Sequence, residues 1–163
     1  MSESSLYLLA ELTGKALSET NHILATAESC TGGGIMQAMT EVPGSSGWCE
    51  GGFITYSNAA KKQLLAVPET TLQQYGAVSE QTVLAMAEGV LSSCGATVSV
   101  AVSGIAGPDG GTDDKPVGTV WVAWAGAGSP ARAEKFLFEG DRSSVRRQTV
   151  FAALHGIIAL CQQ

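Results

Sequence analysis

Residues 22–34 read HILATAESCTGGG, and this stretch decides the fold. HILATA (22–27) is a short apolar run of strand length, and three glycines follow a cluster of polar side chains. A buried strand that runs through a glycine turn into a helix is the signature of an open α/β sheet. The polar cluster, AESCTGGG, holds a carboxylate, two hydroxyls and a thiol. Three readings stand for it: a nucleophile on a turn, a cradle for an anion at a helix start, or a tight connection in which Glu28 caps the next helix.

Working outward, residues 4–20 predict an amphipathic helix with Leu6, Leu9, Leu12 and Leu17 near helical spacing and Ser4 or Ser5 as its cap. A second helix follows TGGG over about 32–41 and ends before Pro43. PGSSG (43–47) is a loop, and WCEGGFITYS (48–57) a strand with an irregularity at Gly51–Gly52. Ser57 or Asn58 caps a short helix holding Lys61 and Lys62, and Pro68 starts a helical turn. Residues 79–93 form a helix capped by Ser79, with Val83, Met86, Ala87, Val90 and Leu91 as its apolar stripe. TVSVAVSG (97–104) is a buried strand, and GPDGGTDDKPVG (107–118) a solvated loop. TVWVAWAG (119–126) and ARAEKFLFEG (131–140) form a hairpin through AGSP, and Asp141 caps a long last helix. The order α-β-α-β-α-α-β-β-β-α predicts a three-layer α/β/α sandwich with a mixed sheet, one domain over residues 1–163.

Composition narrows the function. The chain has 163 residues, 20 of them glycine, and a net charge of −6. That charge opposes non-specific binding to nucleic acid or an anionic membrane, but not a small anionic ligand held in a local positive pocket. Cys30, Cys49, Cys94 and Cys161 form no CxxC pair and only two histidines exist, so no metal site and no cofactor are expected. Scattered thiols of this kind suit a cytoplasmic protein. MSESSLYLLAELTGKAL lacks the basic region of a signal peptide, and no run reaches the ~18 apolar residues of a membrane span.

Three polar, glycine-rich loops follow strands: AESCTGGG, SGIAGPDGG and FEGDR. Ligands of open α/β sheets bind at strand ends, where these loops can meet. Lys61, in the first turn of its helix, opposes the helix dipole, which lowers its pKa and favours a neutral amine able to act as a base. Lys62 beside it is the solvated alternative. The nucleophile candidates are Ser29, Cys30, Thr31, Ser45, Ser46, Ser57 and Ser103. No histidine motif supports a Ser-His-Asp triad, which leaves a Ser–Lys arrangement; the residues alone do not choose the serine. Arg142 at the last helix start can clamp a phosphate or form a surface ion pair. Asp109, Asp113 and Asp114 match no calcium loop.

AESCTGGG, GSSGWCEGGFITYSNAAK, YGAVSEQT, SGIAGPDGGTDDKPVGTVW and FEGDRSSVRRQ together resemble the CinA C-terminal-domain family, over about residues 5–160. The resemblance implies an α/β/α fold, an oligomer of at least two copies, and hydrolysis of nicotinamide mononucleotide to nicotinic acid mononucleotide and ammonia, a step of pyridine nucleotide recycling. It implies Ser46 as nucleophile, Lys61 as general base and Tyr56 as an aid to proton transfer. It implies a ligand site of Ser29, Cys30, Thr31, Gly32, Ser103, Gly104 and Gly107, with Arg142 on the phosphate. Ser103 departs from the threonine common at that position but keeps the hydroxyl. The alternative is a non-catalytic nucleotide-binding module, or an interaction module linked to competence.

Overall fold

The computed structural model describes residues 2–126 and 128–162. Five strands form one sheet: β1 (Leu24–Glu28), β2 (Cys49–Ile54), β3 (Val98–Gly104), β4 (Thr119–Gly126) and β5 (Ser129–Leu137). Their order is β2-β1-β3-β4-β5. β1 runs parallel to β2 and β3, while β3–β4 and β4–β5 are antiparallel, so the sheet is mixed. The helices are α1 (Glu3–Glu19), α2 (Gly34–Thr40), α3 (Asn58–Leu65), α4 (Glu69–Tyr75), α5 (Glu80–Ser93) and α6 (Arg142–Cys161).

Each face of the sheet has its own apolar cluster, and this produces the three layers. On one face Leu9 and Leu17 of α1, Ile35 and Met39 of α2, and Val145, Leu154 and Ile157 of α6 pack on Val100, Val102, Val120 and Val122. On the other, Leu65 of α3, Leu72 of α4 and Val83, Met86, Ala87 and Val90 of α5 pack on the small side chains Ala25, Ala27, Ala101 and Ala123. β1 and β3, in the middle of the sheet, are buried on both faces, with Thr26, Glu28, Ser99 and Ser103 buried among their apolar side chains.

Most predicted elements are present, with local corrections. Ser2 rather than Ser4 or Ser5 caps α1, in a capping box with Ser5. The buried stripe of α1 is Leu9, Ala10, Thr13, Gly14 and Leu17; Leu12 faces solvent. The Pro68 turn extends into the full helix α4. The strand irregularity falls at Glu50, where the β1–β2 register steps from Leu24↔Cys49 to Ala25↔Gly51. β5 starts two residues earlier than predicted, at Ser129; of the connecting AGSP, Ala127 lies outside the described residues. Ser57, Ser79 and Asp141 cap α3, α5 and α6 through side-chain oxygens.

One packing detail gives a stability prediction. Trp124 of β4 is buried, donates Nε1–H to the Ala153 carbonyl at 3.0 Å, and carries the Arg132 guanidinium 4.5 Å from its ring centroid. A Cβ at Gly156 of α6 would overlap that indole. Alanine is worth about 1 kcal/mol more than glycine in a helix interior, but a rigid buried ring cannot yield cheaply, and overpacking costs about 1–3 kcal/mol or more. Gly156→Ala is therefore expected to lower stability by a net ~2 kcal/mol in urea unfolding; an unchanged midpoint would show that the ring moves freely.

Candidate active site

The topology sets where a site can form. β1 leads through α2 to β2 on one side, and β2 leads through α3, α4 and α5 to β3 on the other. Strand order reverses at β1, and the crevice outside the ends of β1 and β3 is where open α/β sheets bind ligands. A cleft of about 280 Å³ lies there, lined by Ser29, Cys30, Tyr56, Lys61, Ala77, Val78, Ser103, Gly104, Ala106 and Arg142.

The Ser29 turn is built by Glu28. This carboxylate, 1% exposed, accepts hydrogen bonds from Thr26 Oγ1 (3.2 Å), Thr31 Oγ1 (2.6 Å), Ile35 N–H (2.8 Å) and Met36 N–H (3.0 Å). It therefore occupies the α2 start that an anion would use. Gly32 and Gly33, at φ +60° and +100°, take the left-handed backbone that swings the chain from β1 into α2. Ser29 is fixed at the strand end by its N–H on the Val102 carbonyl, 3.1 Å.

Lys61 is the decisive side chain. It is 0% exposed, and its Nζ lies 2.7 Å from the Thr55 carbonyl, 3.2 Å from the Tyr56 carbonyl and 3.1 Å from Ser29 Oγ. Burial lowers its pKa from 10.5 to about 8, partly offset by the neighbouring Cys30. The cause is burial, where the sequence reading had the helix dipole. Two of its three partners are carbonyls, which only accept. A neutral amine donates twice, so its lone pair is left for the Ser29 hydroxyl proton. Lys62, by contrast, is paired with Glu69 at 3.2 Å near the surface. Burial pushes the Cys30 thiol to about 11, so it is a protonated, unreactive group.

At the cleft mouth, Arg142 donates Nη1–H to the Gly107 carbonyl (2.9 Å) and sits 3.4 Å from the Tyr56 hydroxyl. It forms no ion pair among the described residues. The family model of the CinA C-terminal domain matches residues 7–161. The chain belongs to the CinA C-terminal domain family. It is 56% identical over 152 residues to the nicotinamide-nucleotide amidohydrolase PncC of Pseudomonas putida, covering 93% of this chain and 94% of that one. To the Escherichia coli K12 protein of the same name it is 50% identical over 154 residues, covering 94% and 93%. The crystal structure of a competence/damage inducible protein from Agrobacterium tumefaciens superposes with a TM-score of 0.93 at 40% identity, over 98% of this chain and 96% of that one.

Within this family frame the expected site residues divide. Ser29, Cys30, Tyr56, Lys61, Ser103, Gly104 and Arg142 line one cleft, and Gly107 joins it through Arg142. Thr31 and Gly32 do not line it: the Thr31 hydroxyl is held by Glu28, and Gly32 N–H is bonded to the Ser29 carbonyl. Ser46 stands apart from this cleft. It lies exposed on the 3₁₀ turn Ser45–Gly47, before β2, whereas Lys61 follows β2. The six residues of β2 hold them at opposite ends of that strand, which spans roughly 20 Å at ~3.3 Å per residue. The Tyr56 hydroxyl stands by Arg142, and it is the Tyr56 carbonyl that meets Lys61. Sequence reasoning missed Ala77 and Val78, an apolar wall from the α4–α5 linker that carries no chemical signal. It also missed Arg146, although the Arg142/Arg146 spacing of four puts both on one face of α6.

Proposed function

We propose that this chain hydrolyses the carboxamide of nicotinamide mononucleotide, giving nicotinic acid mononucleotide and ammonia, with Ser29 as nucleophile and Lys61 as general base. The names of the near full-length relatives support the reaction. One observation carries the mechanism: a fully buried lysine with its Nζ 3.1 Å from a serine hydroxyl at the switch point of the sheet.

Neutral Lys61 takes the Ser29 proton as Oγ attacks the carboxamide carbon, forming a tetrahedral oxyanion. The Lys61 ammonium returns that proton to the amide nitrogen, the C–N bond breaks, and ammonia leaves an ester on Ser29. Water then attacks the ester, Lys61 takes its proton, and Oγ departs with that proton restored. The carboxylic acid product ionises. The Thr55 and Tyr56 carbonyls hold Lys61 in both protonation states. Arg142 supplies a cation for the phosphate without a competing carboxylate.

The test is ammonia release from nicotinamide mononucleotide by the purified protein; no release under conditions that preserve the fold removes the proposed substrate. Arg142→Ala is expected to raise KM for the nucleotide about 10- to 100-fold, the range of a hydrogen bond to a charged group, while leaving the slow turnover of the phosphate-free riboside unchanged. Equal losses on both would remove the phosphate role. At least a homodimer and a cytoplasmic location belong to the same proposal. Exposed Tyr7, Leu8 and Leu12 of α1 offer apolar surface for self-association, and sedimentation as a monomer would remove that element.

A further inference from the structure

The turn carrying Ser29 is gripped from two sides. Glu28 grips it from within, as described. From outside, Arg146 of α6 donates Nε–H to the Cys30 carbonyl at 3.1 Å and Nη2–H to the Thr31 carbonyl at 3.0 Å. Arg146 does not line the active-site cleft; it lines a separate hollow between α1, α2 and α6. It can therefore act on the reaction only through the turn.

The donors of this turn are almost all committed. Ser29 N–H is on Val102, Gly32 N–H on Ser29, Gly34 N–H on Thr31, and Ile35 and Met36 N–H on Glu28. Among the described residues, the Thr31 and Gly33 N–H groups reach no protein acceptor, and the Cys30 N–H meets only its own thiol. A trans peptide points its carbonyl and its N–H in opposite directions. With the Cys30 carbonyl fixed on Arg146, the Thr31 N–H is turned away from α6. The N–H of Cys30 directly follows the serine, on the residue that lines the cleft. Serine hydrolases need such uncommitted backbone donors for the oxyanion.

We infer that Arg146 is a positioning residue for the hydrolysis: by clamping the Cys30 and Thr31 carbonyls it keeps the free N–H groups beside Ser29 aimed at the oxyanion. This rests on the assignment of Ser29 as nucleophile. Arginine suits the task because its planar fork reaches two carbonyls in fixed geometry, where a lysine ammonium offers a single point. Arg146 is exposed as a residue, so its removal opens no core.

The experiment compares Arg146→Ala and Arg146→Lys with the wild type in two assays. In steady-state hydrolysis, Arg146→Ala is expected to lower kcat on the order of 100-fold, the cost of losing an oxyanion donor, with KM within about threefold. Free guanidinium at non-denaturing concentration is expected to restore part of that rate, and Arg146→Lys to fall between. The second assay follows labelling of Ser29 by a fluorophosphonate: Oγ bonds to phosphorus, fluoride leaves, and Lys61 takes the proton. Because the phosphoryl oxygen uses the same donors, labelling is expected to slow by a similar factor. Arg146→Ala with both rates near wild type overturns the inference, as does a loss that neither guanidinium nor lysine relieves. If wild type labels at Ser29 but releases no ammonia from the nucleotide, the substrate assignment fails and the labelling comparison still decides the role of Arg146.

Discussion

Ser29→Ala is expected to lower kcat for nicotinamide mononucleotide hydrolysis by about 10⁴-fold or more, while Ser46→Ala leaves it within about twofold. The size follows from removing a nucleophile from a unit in which the remaining parts give only a small residual rate. The contrast follows from the sheet. Ser29 sits where β1 ends, 3.1 Å from the one fully buried amine among the described residues. Ser46 sits before β2, at the opposite end of the strands, on an exposed turn. KM is expected to change little in Ser29→Ala, because a methyl group in place of the hydroxyl leaves Arg142, Ser103 and the apolar wall in place. A variant that binds and does not turn over separates loss of chemistry from loss of the site. If Ser46→Ala were the dead variant, the mechanism proposed above would be wrong.

Lys61→Met is expected to cost a comparable factor, and its effect tests the base as a base. Methionine keeps most of the lysine stem in a buried position while removing the nitrogen. In the proposed mechanism serine and lysine act on one proton, so Ser29→Ala combined with Lys61→Met is expected to be no slower than either alone. The wild-type pH profile carries the same information. In the proposed mechanism Lys61 works as a neutral amine, and burial lowers its pKa to about 8. Below that value the protonated fraction dominates, so kcat/KM should rise about tenfold per pH unit and level off above about pH 8. A flat profile from pH 6 to 9, or one falling through pH 8, would contradict a lysine base. Lys61→Met should lose the rising limb from whatever rate remains.

The layered fold was legible because its signals are local. The largely apolar runs at 22–27 and 97–104 read as buried strands, and the glycines at 32–34 allow the sharp entry into α2. Helix caps at Ser57, Ser79 and Asp141 follow from side-chain chemistry within a few residues. Lys61 was also legible, though for an incomplete reason: the helix-start position is real, but the first cause of its lowered pKa is burial, a property of the whole fold.

The serine was not legible in the same way. Ser29 and Ser46 both stand in compact turns between regular elements, and local sequence does not rank them. What ranks them is connectivity. When β1 and β2 pair in parallel, the turn that leaves β1 and the helix that follows β2 lie at the same end of the strands, and the turn that enters β2 lies at the opposite end. Glu28 illustrates the same limit. Its cap of α2 was one of three readings of AESCTGGG; its bonds to the Ile35 and Met36 N–H groups show that cap, and they leave the amides of residues 30, 31 and 33 outside its reach. The grip of Arg146 on residues 115 and 116 positions earlier has no local trace at all.

The most direct measurement is to quench the wild-type reaction in acid within the first turnovers, digest the protein, and map any nucleotidyl-nicotinoyl ester by mass spectrometry. The account predicts an adduct of substrate minus ammonia on the peptide containing Ser29, absent from Ser29→Ala and present in Ser46→Ala. An adduct on the peptide containing Ser46, or on Cys30, would contradict it.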